Sequence, residues 1–177
     1  MVTEIMVRLF GTRDERRRFW KNRFSEIRER DEQVLRQIEA SAEPVLPQIP
    51  QLRQYFEYCI GFWRWRSDHV NRFGYYVPWF SHTVIDDTLF GDTEFSDKML
   101  EVHQCGKLSQ AEADQIVSGL QTALEHEGSS PREKIRAVAG FCVDTVSFLE
   151  DGLGRHHPLV RNLPSPDVRE LCKPYLG

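Results

Sequence analysis

His82 and Asp86 stand four residues apart, with Asp87 adjacent, on a stretch that reads as helix, and His69 and His103 fall on the segments either side of it. Imidazole and carboxylate groups one helical turn apart are the means by which helical bundles hold divalent metals. A di-metal carboxylate centre needs two Glu-x-x-His pairs, and the sequence contains none. No metal and no cofactor is therefore expected, and these side chains read as solvated helix faces. His156 and His157, beside Arg155, could meet an anion or a metal, but neighbouring histidines on a loop point apart more often than they converge. The cysteines, Cys59, Cys105, Cys142 and Cys172, form no CxxC pair and nominate neither a zinc nor a redox site. Cys59 and Cys142 occupy apolar helix positions and read as small buried hydrophobes. Cys105, two residues after His103, reads as an exposed thiol with nothing nearby in the sequence to activate it. There is no glycine-rich phosphate loop, no GxSxG and no HExxH.

IDDTLFGD, from Ile85 to Asp92, resembles the aspartate-rich motif with which class I terpene synthases hold magnesium and a diphosphate. The resemblance implies paired carboxylates, Asp86 and Asp87, on an aromatic-lined helical bundle that ionises an apolar diphosphate. It covers this octapeptide alone, in a chain much shorter than those enzymes. The companion motif, an Asn or Asp followed at i+4 by Ser or Thr and at i+8 by Glu, is missing, since DTVSFLED at Asp144 to Asp151 fails that spacing. Magnesium is accordingly not carried into the expected cofactors.

The element that has to position any site is the stretch from Tyr55 to Phe80, which holds eleven of the twenty Phe, Tyr and Trp residues. Advanced at helical pitch, Leu52, Tyr55, Phe56, Cys59, Ile60, Trp63 and Val70 form one apolar face, and Tyr58, Phe62, Trp65 and His69 form a second. The polar remainder places Arg53 with Glu57 and Arg64 with Asp68 at ion-pair spacing. So wide an apolar arc fits either a helix central in a bundle or an exposed docking edge. Trp, Tyr and Arg dominate interface hot spots, and Tyr58, Trp65, Arg66, His69, Tyr75, Tyr76 and Trp79 are the partner-binding candidates.

Around this helix the start and stop signals outline an all-α, single-domain bundle of about six or seven helices. Residues 1–11 make an N-terminal arm, with Thr3 to Phe10 the single stretch that could be a strand. Thr12 and Glu15 open a long charged helix to residue 42 with a capping box. Asp31 interrupts its apolar stripe, which predicts a break there or a projecting end. Pro44, Pro47 and Pro50 make a stiff connector, and residues 51–154 form the helical core. In it Gly74 ends the aromatic helix, Pro78 opens the next, Ser109 with Glu112 and Ser130 with Glu133 are capping boxes, and Gly128, Gly152 and Gly154 are stops. The last two core helices read as an antiparallel hairpin, since GSS leaves little room for anything else. Residues 155–177 carry prolines at 158, 164, 166 and 174 and read as an extended strap, with one short helix from Pro166 to about Cys172, docked by Leu159, Val160, Leu163, Leu171 and Tyr175.

The 177 residues are 40% apolar and 28% charged, with a net charge of −4. That is an ordinary globular composition, and the acidic balance argues against general nucleic-acid binding. No run approaches the roughly 18 apolar residues of a membrane span, and the N-terminus lacks the form of a signal peptide; reduced thiols and a cytoplasmic location are expected. Charge is nevertheless segregated. Arg13, Arg16, Arg17, Arg18, Lys21 and Arg23 crowd one segment, and Asp86, Asp87, Asp92, Glu94, Asp97 and Glu101 another, which suits an internal pairing or head-to-tail self-association. Together these features predict a small helical protein-binding module, a regulator, adaptor, chaperone or inhibitor, that meets a protein partner through residues 58–79; a homodimer through the same edge fits equally. The alternative is a helical-bundle enzyme or ligand carrier whose aromatic pocket uses His69, His82 and Asp86.

Overall fold

The computed structural model describes residues 11–74 and 110–177. Packing divides the chain into two compact units, Met1–Asp31 with Arg66–Gln104, and Glu32–Trp65 with Cys105–Gly177. Among the described residues there are six α-helices, one 3-10 turn and no strand. This is the all-α helical bundle that the periodicities predict. The arm before residue 11, with its strand-like stretch, and the helices expected between residues 78 and 103 lie outside the described residues.

Helix α1 (Arg13–Ala42) opens on the predicted capping box: the Glu15 amide donates to Thr12 Oγ1 (3.3 Å) and the Thr12 amide to Glu15 Oε2 (2.8 Å). It is continuous through Asp31, which removes the break, one of the two outcomes that the interrupted stripe allows. The reason lies within the first unit. Asp31 is a hydrogen-bond acceptor on the inner side of the helix, and Ser67 Oγ donates to its Oδ2 at 2.8 Å. An acid on an apolar stripe is tolerated once a neighbouring hydroxyl compensates its lost water. Ile27 and Arg66 are the other buried residues of this unit that the structure describes.

In the second unit, α1 contributes Leu35, Ile38 and Ala42 to the core. The proline-punctuated connector is not a bare spacer. Leu46–Gln48 winds into a 3-10 turn, and Val45, Leu46 and Ile49 between the prolines are buried. Helix α2 (Pro50–Gly74) then starts with proline at its first position, where the missing amide costs nothing, and stops at the predicted glycine. Its first face is buried as the periodicity requires, from Leu52 through Trp63; the Val70 side chain lies outside the described set. Helix α3 (Gln110–Glu125) and α4 (Pro131–Leu153) pack against each other across the turn at residues 126–130. Ser130 and Glu133 make the predicted reciprocal cap, with the Ser130 amide 2.7 Å from Glu133 Oε2 and the Glu133 amide 3.3 Å from Ser130 Oγ. The expected cap at Ser109 lies outside the described residues. α4 buries Val138, Ala139, Phe141, Cys142, Thr145, Val146, Phe148, Leu149 and Gly152.

The tail departs from the extended strap that its prolines suggest. It folds as a short helix, α5 (Pro158–Arg161), and a longer one, α6 (Val168–Leu176), which continues past Cys172 with Pro174 inside it. Pro158 sits at the first position of α5, where proline favours a helix. Asp167 caps α6, its Oδ1 accepting from the Arg169 amide at 2.7 Å. Arg169 ties α6 to α4 through Glu150 (2.6 Å) and Ser147 (3.2 Å). The deep anchors are Val168 and Cys172, both buried, whereas Leu159, Val160, Leu163, Leu171 and Tyr175 are only half-buried.

Arg64 on α2 takes partners from α1. Its Nε donates to Glu32 (3.0 Å), and its Nη1 and Nη2 grip Glu39 as a fork (3.1 and 2.6 Å); the Asp68 side chain, its expected partner, lies outside the described set. Arg64, and less strongly Arg36, hold the Glu32 carboxyl below the usual glutamate range. With 37% of its side chain in solvent, Arg64 is screened, and Arg64→Ala is expected to cost about 1 kcal/mol at neutral pH. Because the folded-state pKa of Glu32 is depressed, this contribution is complete above the ordinary value of 4.5 and is lost as pH falls through the lower folded value. Urea melts of wild type and variant should therefore differ at pH 7 and converge in acid. A difference that persisted in acid would assign the loss to packing of the arginine stem instead.

Candidate functional site

The second face of α2 is where the sequence places a partner, and in the second unit the chain's own tail sits there. Tyr58 is half-buried; its hydroxyl donates to the Leu159 carbonyl of α5, and burial pushes the phenol pKa up. Phe62 is buried, edge-on to Phe148 (6.2 Å between ring centres) and stacked on Trp65 (6.0 Å). Trp65 is half-buried and meets His157 edge-on at 5.7 Å. His157 is no ligand-seeking loop histidine. It is buried, and its Nδ1 accepts from the Leu159 amide at 3.2 Å, capping α5. Below it, Tyr55 donates to the Pro166 carbonyl (2.7 Å) and faces that of Pro164, and Gln51 donates to the Tyr175 hydroxyl. Tyr58 and Trp65 are thus brought together under one cover. Arg66, assigned to the first unit, is buried. The His69 side chain lies outside the described set, and Tyr75, Tyr76, Trp79, His82 and Asp86, with the acidic band they adjoin and the terpene-synthase-like octapeptide, lie outside the described residues.

Among the described residues no group of three or more His, Cys, Asp or Glu side chains is placed to hold a metal ion. Cys59, Cys142 and Cys172 are free thiols in the core, as apolar positions predict for the first two. Cys59 Sγ points at the Cys142 carbonyl (3.9 Å). The Cys142 thiol is pushed well up by its interaction with Cys59 and by burial, and burial pushes Cys172 up to about 12. Thiols so protonated are poor nucleophiles. No helix among the described residues is long and apolar enough to cross a membrane.

A concave feature of the second unit lies between α3 and α4, a groove of about 550 Å³. Its floor is apolar, made by Ile116, Leu120, Phe141 and Phe148. Its walls are lowered by Gly119, Ala137 and Gly140, and Glu112, Asp144 and Asp151 supply its charge. The surrounding wall withdraws enough water from Asp144 to raise its carboxyl pKa. Sequence reasoning passed over this site because it looked for chemistry-bearing side chains, and what marks the groove is their absence at two positions. The available signal was the pair of glycines inside otherwise regular helices, together with Ala137, Asp144 and Asp151 at seven-residue spacing. No protein-family model, curated protein or solved structure matches the chain.

Proposed function

We propose that the chain is a small helical protein-binding module, of the adaptor or regulator kind, and that the α3–α4 groove is a contact surface for its partner. One observation carries the reading: a groove with an apolar floor stands open between two helices, the second of which is capped at both ends. The aromatic edge expected to meet the partner, Tyr58 and Trp65, serves as the seat of the C-terminal segment, so the recognition surface of the second unit is assigned to its other side chains. Free thiols throughout the described core suit a reducing compartment, which supports a cytoplasmic location.

A photoreactive amino acid tests this. Placed at Ile116, on the groove floor, it is expected to yield a discrete adduct with another protein in cells. Placed at Gln54, an exposed position of α2, it is expected to yield none. Equal background labelling from both positions would remove the groove from the reading.

A further inference from the structure

Resting on that reading, we infer that the occupant of the groove is a basic amphipathic helix of another protein, about four turns long, lying along α3 and α4 as a third helix.

Shape is the first argument. On α4 the lining residues Ala137, Gly140, Asp144, Ser147 and Asp151 recur at alternating steps of three and four. That is the seam a helix offers to a neighbouring helix at a shallow crossing angle. On α3, Glu112, Gln115 with Ile116, and Gly119 recur in the same way. Two such seams side by side form a trough that matches a cylinder. From Ala137 to Asp151 the trough runs about 21 Å at 1.5 Å per residue, which sets the length of the occupant.

The glycines supply the second argument. Gly119 and Gly140 lie inside helices, where glycine loses more backbone entropy than alanine does. A Cβ built at either position would meet nothing within 4 Å. Packing among the described residues therefore gives no reason for their being bare. A partner backbone seated close against α3 and α4 does, because small residues allow helices to approach.

Charge identifies the occupant. Three carboxylates and no cationic side chain line the groove. Asp144 and Asp151 stand one heptad apart on the same face of α4, and neither takes part in a hydrogen bond or ion pair among the described residues. Carboxylates two turns apart are about 10 Å from one another, too far to share one ion, but at the spacing of Lys or Arg side chains seven residues apart on a partner helix. An acidic lining also repels nucleic acid and anionic lipid. Apolar residues of the occupant would meet Ile116 and Leu120, with basic residues flanking them.

The test uses two synthetic peptides of equal length with the same Leu/Ile stripe, one carrying Lys and Arg beside it and the other Glu. Each is titrated onto the full chain and followed by fluorescence anisotropy. The basic peptide is expected to bind about tenfold tighter than the acidic one, more weakly as salt rises, and Asp144→Asn with Asp151→Asn should erase that preference. Gly119→Ala with Gly140→Ala is expected to raise the melting temperature, as alanine does at helical sites, while weakening the basic peptide. A loss of binding in a more stable protein is not unfolding. Equal binding of both peptides would overturn the charge assignment. If neither peptide binds while the Ile116 adduct still forms, the helical occupant is overturned and the groove stays; loss of both peptide binding and adduct would overturn the groove as well. Self-association of the free chain, abolished by the same aspartate substitutions, would place a second copy in the groove and overturn the foreign partner.

Discussion

Trp63→Ala is expected to lower the stability of the protein by about 4–5 kcal/mol, enough to unfold much of the population at physiological temperature. The indole joins α2 to α4: it is 4% exposed, stacks on Phe148 at 5.3 Å, and meets Phe62 edge-on at 5.1 Å. Removing it leaves a cavity that rings on two helices cannot collapse to fill. It also removes the donor of a buried side-chain hydrogen bond, Trp63 Nε1 to Thr145 Oγ1 at 3.0 Å. A double-mutant cycle separates the two costs. Trp63→Phe keeps most of the ring contacts, and deprives the Thr145 hydroxyl of the indole, for about 1–2 kcal/mol beyond the smaller ring. Thr145→Val, nearly isosteric, deprives the indole in turn. The pair together should cost less than the sum of the singles, with a coupling of about 1 kcal/mol in urea unfolding. Strictly additive losses would show that packing alone, and not the polar pair, holds α2 to α4.

The second large effect concerns the tail. Val168→Asp places a carboxylate where the valine is 1% exposed, and the cost of burying it without a partner, about 3 kcal/mol or more, exceeds what the cap, the Arg169 contacts and the remaining apolar area of α6 return. The tail helix is therefore expected to leave the core while the α3–α4 pair stays formed. Cysteine chemistry reads this out. In the native protein burial holds the Cys172 thiol protonated, with its pKa near 12, and its Sγ lies against the Ala139 carbonyl at 3.5 Å. Once α6 is released, that thiol returns to an ordinary value and reacts with a disulfide reagent at neutral pH. In a Cys105→Ser background, labelling of Val168→Asp should be at least tenfold faster than that of wild type, with far-UV ellipticity largely kept. Unchanged labelling would mean that Cys172 stays covered without Val168.

Helix limits proved readable wherever a local chemical signal acts alone. The capping boxes at Thr12 and Ser130 and the stops at Gly74 and Gly154 depend on residues within four positions of one another, and each stands where the sequence puts it. Periodicity likewise picked out the deep face of α2, because burial of an apolar stripe follows from helical pitch and needs no knowledge of the neighbour. The same local reasoning caught the tail only in part: the short helix expected to Cys172 is there and runs on to Leu176. It weighted prolines as breakers, when Pro158 initiates a helix and Val168 and Cys172 hold the next one down. It also left out Val45, Leu46 and Ile49, since three prolines in seven residues look like a linker until a core is there to receive the side chains between them.

What lies against what was decided only in three dimensions. Tyr58 and Trp65 have the composition of a docking edge, and nothing in α2 distinguishes an edge meant for a partner from one meant for residues a hundred positions later in the same chain. Apolar burial is indifferent to where its partner comes from, so composition marks a surface that must be covered and is silent on its cover. Arg64 shows the same for charge: spacing offered Asp68, and tertiary packing brings Glu32 and Glu39 of α1 against it as well. The groove is the clearest case. Gly119 and Gly140 are unremarkable one helix at a time, and they become a candidate binding surface only when α3 and α4 lie side by side and leave the same space open between them.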